Sequence, residues 1–383
     1  MIVKKDKNIS GRPLRLAVYG HKHALMSREG GIEVVVGELV TRMAKKGIQV
    51  TCYDRKSKHV SGADLETPKN IKGIKIVPVW TINRRGLAAL TSSYAAAIKA
   101  ALSDADVVHI HGEGPGATCW IPKLFGKRTV LTCHGLDWQR VKWGGFASKY
   151  IKFGERMAVK YADEIIVLSR GVQEYFNSTY NRETVFIPNG VTVPISQPAR
   201  MITEKWGLEK DSYVLFLGRI VPEKGLRYLV EAWQSITTDK KLVIAGGSSD
   251  TAGFMTELEN MAAGDERVLF TGFQQGKVLE ELYSNSYIYT LPSDLEGMPL
   301  SLLEAMSYGN CCVVSDIAEM AEVVEDKAAV FKHSDVSSLR TTLQDLLDDA
   351  EAVKRYKEGA AEFITSKYIW DDVVDRTVEL YRG

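Results

Sequence analysis

Short runs of apolar, mostly β-branched residues alternate with longer amphipathic segments along the first half of the chain. The runs are LRLAVY, QVTCY, IKIVPV, DVVHIH, RTVLTCH, EIIVLS and TVFIPN, and the amphipathic segments include IEVVVGELVTRMAKKG, whose last glycine is typical of a helix C-cap. Short apolar runs that alternate with helices are typical of parallel strands covered on both faces. The pattern therefore predicts a parallel sheet wrapped by helices.

A second series of the same kind follows the turn-forming sequence Pro188-Asn189-Gly190. Its runs are YVLFLGR, KLVIAGG, RVLFTGF, YIYTLPS, CCVVS and AAVFK. The stretch VTVPISQPARMITEKWG between the two series has two prolines and no clear period, so we interpret it as a linker. A chain of 383 residues is long for one core. We therefore predict two doubly wound α/β domains, residues 1–194 and 195–366, that face each other across a cleft.

The C-terminal tail has a helical pattern of its own. In YIWDDVVDRTVELYRG, helical spacing gathers the apolar residues on one side. We expect residues 367–383 to form a helix that packs back onto the first domain.

Composition narrows the class of protein. The formal net charge is +1, with 49 basic and 48 acidic residues, which gives no global reason to expect a nucleic-acid partner. Five cysteines without C-x-x-C spacing argue against a disulfide framework and a zinc site, and favour a reducing cytoplasm. The charged start MIVKKDKNISGRPLRLAVYG fits neither a signal peptide nor a spanning helix. We expect a cytoplasmic protein, either soluble or bound at the cytoplasmic face of a membrane.

The stretch SDLEGMPLSLLEAMSYG carries two glutamates in an apolar setting. Pro299 suits a first helical turn and Gly309 suits a left-handed cap, so a helix over residues 299–308 is predicted. Its apolar residues cover nearly all sides, which predicts burial and an enclosed Glu304. Glu296 lies just before this helix, next to the free amides of Gly297 and Met298. The helix start is thus a predicted anion-binding corner with a carboxylate beside it.

Further polar residues and glycines follow other strands of the second domain, at the edge where open parallel sheets bind ligands. Arg219 ends YVLFLG and Lys224 stands five residues later, a pair that can clamp a diphosphate. Gly272 and Phe273 end another strand, and glycine allows a nucleotide close to the backbone. Gly246-Gly247 follows the strand KLVIA in the same way. Taken singly, each feature has an ordinary alternative: the charged residues as surface ion pairs, Gly246-Gly247 as turn residues and Phe273 in the core.

In this order, the motifs resemble those of the family 4 glycosyltransferases, whose fold is GT-B. The matching residues are Gly218-Arg219, Lys224-Gly225, Glu296 and Glu304 in EGMPLSLLE, Pro188-Asn189-Gly190-Val191 and Gly30-Gly31-Ile32-Glu33. The likeness covers essentially the whole chain, including the C-terminal helix.

The resemblance implies roles for these residues. Glu304 would accept hydrogen bonds from the nucleotide's ribose, Glu296 would contact the donor sugar, and Arg219 and Lys224 would hold the diphosphate with the amides of Gly297 and Met298. The remaining residues implied around the nucleotide sugar are Pro299, Leu300, Gly272, Phe273, Gly30, Gly31, Asn189 and His111. The alternative for the two glutamates is a purely structural ion-paired role.

The resemblance implies no metal and no other cofactor. Cations and amides placed at the diphosphate can stabilise the charge that grows as it leaves. The only Asp-x-Asp sequence, at residues 104–106, precedes a strand and so lies at the wrong end of the sheet for the cleft.

Histidines end two strands of the first domain. In similar enzymes a histidine at the position of His134, the end of RTVLTCH, points at the donor sugar; the alternative is a hydrogen-bonded residue with no part in the reaction. His109 and His111 alternate on HIHGEGPG, and His111 at the strand end is the better site candidate. In the glycine-containing loop GHKHALMSREGG, Arg28 is a further candidate. The loop lacks G-x-G-x-x-G order, which argues against a nicotinamide or flavin cofactor.

Basic and aromatic residues interleave over residues 137–160. The sequence DWQRVKW is followed by Lys149, Tyr150, Lys152, Phe153, Arg156 and Lys160. This pattern suits a membrane surface or an anionic lipid-linked acceptor, and it equally suits a solvated helix face with aromatic anchors in the core.

The sequence therefore predicts a retaining glycosyltransferase that moves a sugar from a nucleotide donor to a hydroxyl group. A UDP-sugar is preferred over a GDP- or dTDP-sugar, and the expected acceptor is a saccharide or polyprenyl-linked saccharide in polysaccharide assembly. Two alternatives remain: a sugar-nucleotide epimerase or hydrolase, and a non-catalytic nucleotide-sugar binding protein.

Overall fold

The first domain is built on one sheet. The computed structural model describes residues 12–25, 30–56, 70–71, 73–84, 86–139, 145–247 and 252–383. The strands of the first sheet are β1 (Arg15–Tyr19), β2 (Gln49–Arg55), β3 (Asn70–Ile71), β4 (Ile74–Val79), β5 (Val107–His111), β6 (Arg128–Cys133), β7 (Glu164–Val167) and β8 (Val185–Phe186). Their order is β3-β4-β2-β1-β5-β6-β7-β8. All neighbours pair in parallel except the two-residue β3, which is antiparallel to β4.

Helices cover both faces of this sheet. They are α1 (Gly31–Lys45), α2 (Leu87–Leu102), α3 (Glu113–Gly116), α4 (Trp120–Leu124), α5 (Gly145–Tyr161) and α6 (Arg170–Tyr180). Two apolar clusters result, one on each face of the sheet, because the fully buried strands carry apolar side chains on both sides.

The segment predicted as an irregular linker contains a short helix, α7 (Met201–Trp206). Six residues after two prolines are too few for a helical period to stand out, and Gly207 ends the helix in the left-handed conformation, with φ of 65°.

The second domain repeats the architecture with six parallel strands. They are β9 (Tyr213–Leu217), β10 (Lys241–Ala245), β11 (Val268–Gly272), β12 (Ile288–Leu291), β13 (Cys311–Ser315) and β14 (Ala329–Phe331), in the order β11-β10-β9-β12-β13-β14. The helices are α8 (Leu226–Gln234), α9 (Ala252–Met261), α10 (Lys277–Asn285), α11 (Leu300–Ser307), α12 (Ala318–Val324), α13 (Val336–Asp348), α14 (Ala350–Lys357) and α15 (Ala360–Lys367). The predicted pair of doubly wound α/β domains is confirmed.

The last helix, α16 (Trp370–Arg382), packs on the first domain. The chain crosses back where the amide of Val191 donates to the carbonyl oxygen of Tyr368 at 2.8 Å. Trp370 is then buried against Gly190, and Arg42 of α1 donates to Asp371 at 3.1 Å. The C-terminal helix thus ties the two domains together beside the chain crossing.

Within the described residues, every helix is too short or too polar to cross a bilayer. The five cysteines, all described, are buried and unpaired, as their spacing suggested.

Candidate functional site

The loop between β12 and α11 places the first glutamate at the cleft. The loop runs over residues 292–299, and Pro299 stands at the N-cap of a helix that spans Leu300–Ser307, one residue shorter at each end than predicted. Gly309 has φ of 75°, which is the left-handed cap that the sequence predicted. The start of α11 therefore lies where the predicted anion-binding corner required it.

The prediction that Glu304 is enclosed was wrong. Glu304 is only partly buried, and its Oε2 accepts a hydrogen bond from the hydroxyl of Tyr283 at 3.0 Å. The apolar residues around α11 do not all face one core, since Leu300 packs against clusters of both domains. A helix at a domain boundary can thus be apolar on most sides and still leave a carboxylate partly exposed.

Glu296 and Lys224 form an ion pair beneath this loop. Nζ of Lys224 donates to Oε1 of Glu296, and the hydroxyl of Ser293 donates to the same oxygen at 2.7 Å. The two charged side chains are only 11% and 8% exposed. Lys224 is positioned by the 3-10 turn Pro222–Lys224, which Gly225 ends in the left-handed conformation. An ammonium group and a carboxylate thus stand together at the carboxyl edge of the second sheet.

The two domains touch backbone to backbone at Gly297. A Cβ atom built on Gly297 would lie 1.8 Å from the carbonyl oxygen of His134, and one built on Gly135 would lie 3.0 Å from the Cα of Gly297. Any side chain at Gly297 would therefore collide with the first domain. The contact brings Glu296 and His134 to opposite sides of one narrow junction.

A second junction joins Asn189 to Met298. The amide of Asn189 donates to Sδ of Met298 at 3.0 Å, and Nδ2 donates to the carbonyl oxygen of Met298 at 3.3 Å. Asn189 is buried, and its Oδ1 has no hydrogen-bond partner among the described residues. Asn189 therefore holds the loop before α11 rather than lining open space.

His134 is backed by a row of buried histidines. Its Nε2 lies 3.0 Å from Nδ1 of His111, and the rings of His109 and His111 are 4.2 Å apart. Burial lowers the pKa of His111 well below its usual value and that of His109 to about 3, so both stay neutral near pH 7. Only one of the two facing nitrogens can then carry a proton in their hydrogen bond, which restricts the tautomers of His134.

His111 is almost fully buried, so it stands behind His134 instead of facing the cleft itself. His109 contacts the hydroxyls of Tyr381 and Thr132, each at 2.7 Å, which links the histidine row to α16.

The other candidates lie around the same edge. A Cβ built on Gly31, at the start of α1, would lie 3.7 Å from Cδ1 of Leu300, while Gly30 forms the extended N-cap of that helix. Arg219 follows β9 and is partly buried, and Gly272 ends β11 with φ of 70°. Phe273 is partly buried. Its Cβ lies 3.5 Å from the position that a Cβ atom would take on Gly247. Arg28 lies outside the described residues.

In the basic and aromatic stretch, residues 137–160, some side chains pack against each other and others are exposed as a membrane contact would require. The ammonium of Lys152 lies 3.8 Å from the ring centroid of Trp138, so this pair is structural. Phe146 and Phe153 of α5 are exposed, as are Lys149 and Arg156. Residues 140–144 lie outside the described residues.

Sequence reasoning missed a buried carboxyl pair beside the site. Glu113 starts α3 and Glu155 lies in α5, and both are 1% exposed. Burial and a hydrogen bond with Glu155 raise the pKa of Glu113 well above its usual value, which favours the protonated form of Glu113. Oε2 of Glu113 accepts the amide of Asp137 at 2.7 Å, which anchors the loop that follows His134. The two glutamates are 42 positions apart in the sequence, and no local signal connects them.

Both carboxylates of the Asp-x-Asp sequence accept hydrogen bonds from arginines. Asp106 accepts from Arg12 at 3.0 Å, and Asp104 accepts from Arg15 at 2.6 Å, at the amino edge of the first sheet. Among the described residues no three histidine, cysteine or carboxylate side chains are grouped as a metal site.

Two family models match the chain. Residues 29–193 match Glycosyltransferase Family 4, and residues 200–363 match Glycosyl transferases group 1. Together they cover most of the sequence.

Known proteins are similar to the chain over most of its length. It is 26% identical over 307 residues to α-maltose-1-phosphate synthase of Mycolicibacterium smegmatis, covering 73% of this chain and 79% of the relative. Sucrose-phosphate synthase of Thermosynechococcus elongatus superposes with a TM-score of 0.82 at 20% identity, covering 97% and 98%. The Anabaena protein HepE, in complex with UDP and glucose, superposes with a TM-score of 0.78 at 15% identity, covering 96% and 99%. These structures share the two-domain fold.

Proposed function

Because the chain belongs to the family 4 glycosyltransferases, we propose that it transfers a sugar from a UDP-sugar to a hydroxyl of a saccharide or lipid-linked saccharide, with retention of configuration. The observation that carries this proposal is the Lys224 and Glu296 pair, which stands beside the start of α11 and opposite His134.

The donor diphosphate would bind where positive charge is concentrated. Lys224 and Arg219 lie at the carboxyl edge of the second sheet, and the amides of Gly297 and Met298 precede α11. A diphosphate would replace Glu296 as the main partner of Lys224, because a doubly ionised group attracts the ammonium more strongly than one carboxylate does. These cations and amides would stabilise the leaving UDP in the transition state without a metal ion.

Glu296 would then be free to accept hydrogen bonds from the donor sugar, while the partly exposed Glu304 accepts from the ribose. We assign Glu296 to positioning and charge stabilisation, with the acceptor attacking on the face of the leaving phosphate. His134 would contact the donor sugar near the reacting carbon from the opposite domain.

UDP is the proposed nucleotide because HepE, which shares the fold, is bound to UDP and glucose. Two of the similar proteins are named as synthases of sugar phosphates, maltose 1-phosphate and sucrose phosphate. For a lipid-linked acceptor, the exposed Phe146 and Phe153, which alternate with Lys149 and Arg156 along α5, would supply a contact with an anionic membrane at the cytoplasmic face.

Thermal unfolding with UDP, GDP, dTDP and CMP tests the donor, since a ligand that binds only the folded state raises its stability. UDP is expected to give the largest shift, and millimolar concentrations of all four without any shift would contradict the proposal. A shift without acceptor-dependent transfer would instead favour a nucleotide-sugar binding protein.

A further inference from the structure

Arg55 is a cation with unmet hydrogen-bonding capacity at the carboxyl edge of the first sheet. It ends β2, and its amide donates to the carbonyl oxygen of Lys22 at 2.8 Å, which holds the strand end against the loop after β1. Its Nε is buried and has no hydrogen-bond partner among the described residues. Burial also lowers the pKa of Arg55. A guanidinium has five donor positions, and leaving a buried donor unmet is costly.

The neighbouring carboxylates are engaged elsewhere. Asp54 accepts from Nε2 of His21 at 2.9 Å and from the amide of Ala24 at 3.2 Å. The negative charge of Glu33 acts to raise the pKa of Arg55. Oε1 of Glu33, however, accepts a hydrogen bond from the amide of Lys22 at 3.0 Å. Glu33 therefore offsets part of the charge of Arg55 while leaving its Nε donor unmet.

More positive charge surrounds Arg55. Lys56 follows it and is exposed, and the amide of Lys56 donates to Thr81 just after β4 at 3.2 Å. Nδ2 of Asn83 donates to the carbonyl oxygen of Lys56 at 3.1 Å, which brings the exposed Arg84 to the same edge. The carboxyl ends of β1, β2 and β4 thus form a basic rim, defined by Lys22, Arg55, Lys56 and Arg84.

The basic rim lies at the carboxyl edge of the first sheet, on the other side of β1 from the histidines. In the sheet, β2 and β4 lie on one side of β1, whereas β5 and β6, which lead to His111 and His134, lie on the other. The start of α1 sits between them, where Gly31 approaches Leu300 of the second domain. A ligand that reached the rim would therefore enter from the edge away from the histidines.

We propose that Arg55 and the basic rim bind an ionised phosphate or carboxylate group on the acceptor. The proposal rests on the proposed function, since it assigns the charge of the molecule that receives the sugar. The fork of Arg55 can donate two hydrogen bonds to such a group, and Lys22 and Arg84 add attraction at longer range.

Binding to the protein saturated with UDP tests this site by calorimetry. The probes are inorganic phosphate, glucose 1-phosphate, L-malate and a polyprenyl-diphosphate-linked sugar in micelles, with glucose as the uncharged reference. At least one charged probe is expected to bind, and Arg55→Met should weaken it by about tenfold or more, whereas Arg55→Lys should weaken it less. Preference for the soluble or the lipid-linked probe identifies the source of the charge.

The matched control is Arg340→Met, which removes an exposed arginine from α13 in the other domain. It should leave the affinity of every probe unchanged. The site is refuted if no charged probe binds, if glucose binds as well as its phosphate, or if Arg55→Met binds each probe like the unaltered protein. UDP affinity is measured in the same variants; failure of UDP to bind the unaltered protein would count against the proposed function, whereas the probe results count against Arg55 alone.

Discussion

Removing Lys224 should destabilise the second domain and abolish most of its affinity for UDP. The ion pair between Lys224 and Glu296 has side chains that are 11% and 8% exposed, and Ser293 adds a hydrogen bond to the same carboxylate. Removing one partner of a buried pair leaves an uncompensated charge, which costs about 3–5 kcal/mol. Since both side chains retain slight access to solvent, we expect a loss near the lower end, about 3 kcal/mol, for Lys224→Met.

A double-mutant cycle separates the pair from its surroundings. Lys224→Met, Glu296→Gln and the double variant are compared by urea unfolding, and the double variant should lose at least about 1 kcal/mol less than the sum of the single losses. The control is the pair of Arg227 and Glu257, whose side chains are 46% and 41% exposed. Its coupling should stay within the roughly 0.2–1 kcal/mol usual for exposed pairs.

The same variants test the exchange of partners that the proposed function requires. Glu296→Gln should keep or increase the affinity for UDP, because Lys224 loses its competing carboxylate, yet it should strongly reduce transfer. Lys224→Met should weaken UDP binding by about tenfold or more. UDP affinity unchanged in Lys224→Met, together with coupling no larger than that of the exposed control pair, would refute the reasoning.

Other contacts give further expectations. Gly297→Ala should lower transfer strongly with a smaller effect on UDP affinity, because its Cβ would meet the carbonyl of His134 at 1.8 Å; transfer kinetics equal to those of the unaltered protein would contradict the close contact. The raised pKa of Glu113 gives stability that is present below about pH 4 and lost as pH rises through the native pKa, by at most about 1.4 kcal/mol per pH unit. Glu113→Gln should flatten that dependence in urea unfolding from pH 5 to 8, and an unchanged slope would contradict the raised pKa of Glu113. Trp370→Ala should cost about 3–5 kcal/mol of stability, measured by urea unfolding, since Trp370 is 3% exposed; a loss below about 1 kcal/mol would show that α16 is not needed for the first domain.

The sequence predicted the larger strands because buried parallel strands are continuous apolar runs that need no tertiary information. The sequence did not predict the two-residue β3 or the six-residue α7, because neither is long enough to show a period of hydrophobic residues. Motif order likewise identified Glu296, Lys224 and His134 as candidates, and the structure brings them to one junction.

What the sequence could not supply was the partner of each side chain. The apolar pattern of α11 suggested burial in one core, whereas Leu300 contacts both domains and leaves Glu304 partly exposed. Period two put His109 and His111 on one face of β5, but only the fold shows that Tyr381 of α16 covers that face. Such contacts join residues distant in sequence, and no local periodicity encodes them.

The most direct test of the central claim is the release of UDP from UDP-sugars with and without a panel of saccharide and lipid-linked acceptors, with the product's anomeric configuration read by NMR. We predict that release depends on an acceptor and that the new bond keeps the configuration of the donor. Release at the same rate without acceptor would identify a hydrolase instead, and an inverted product would contradict the front-face mechanism.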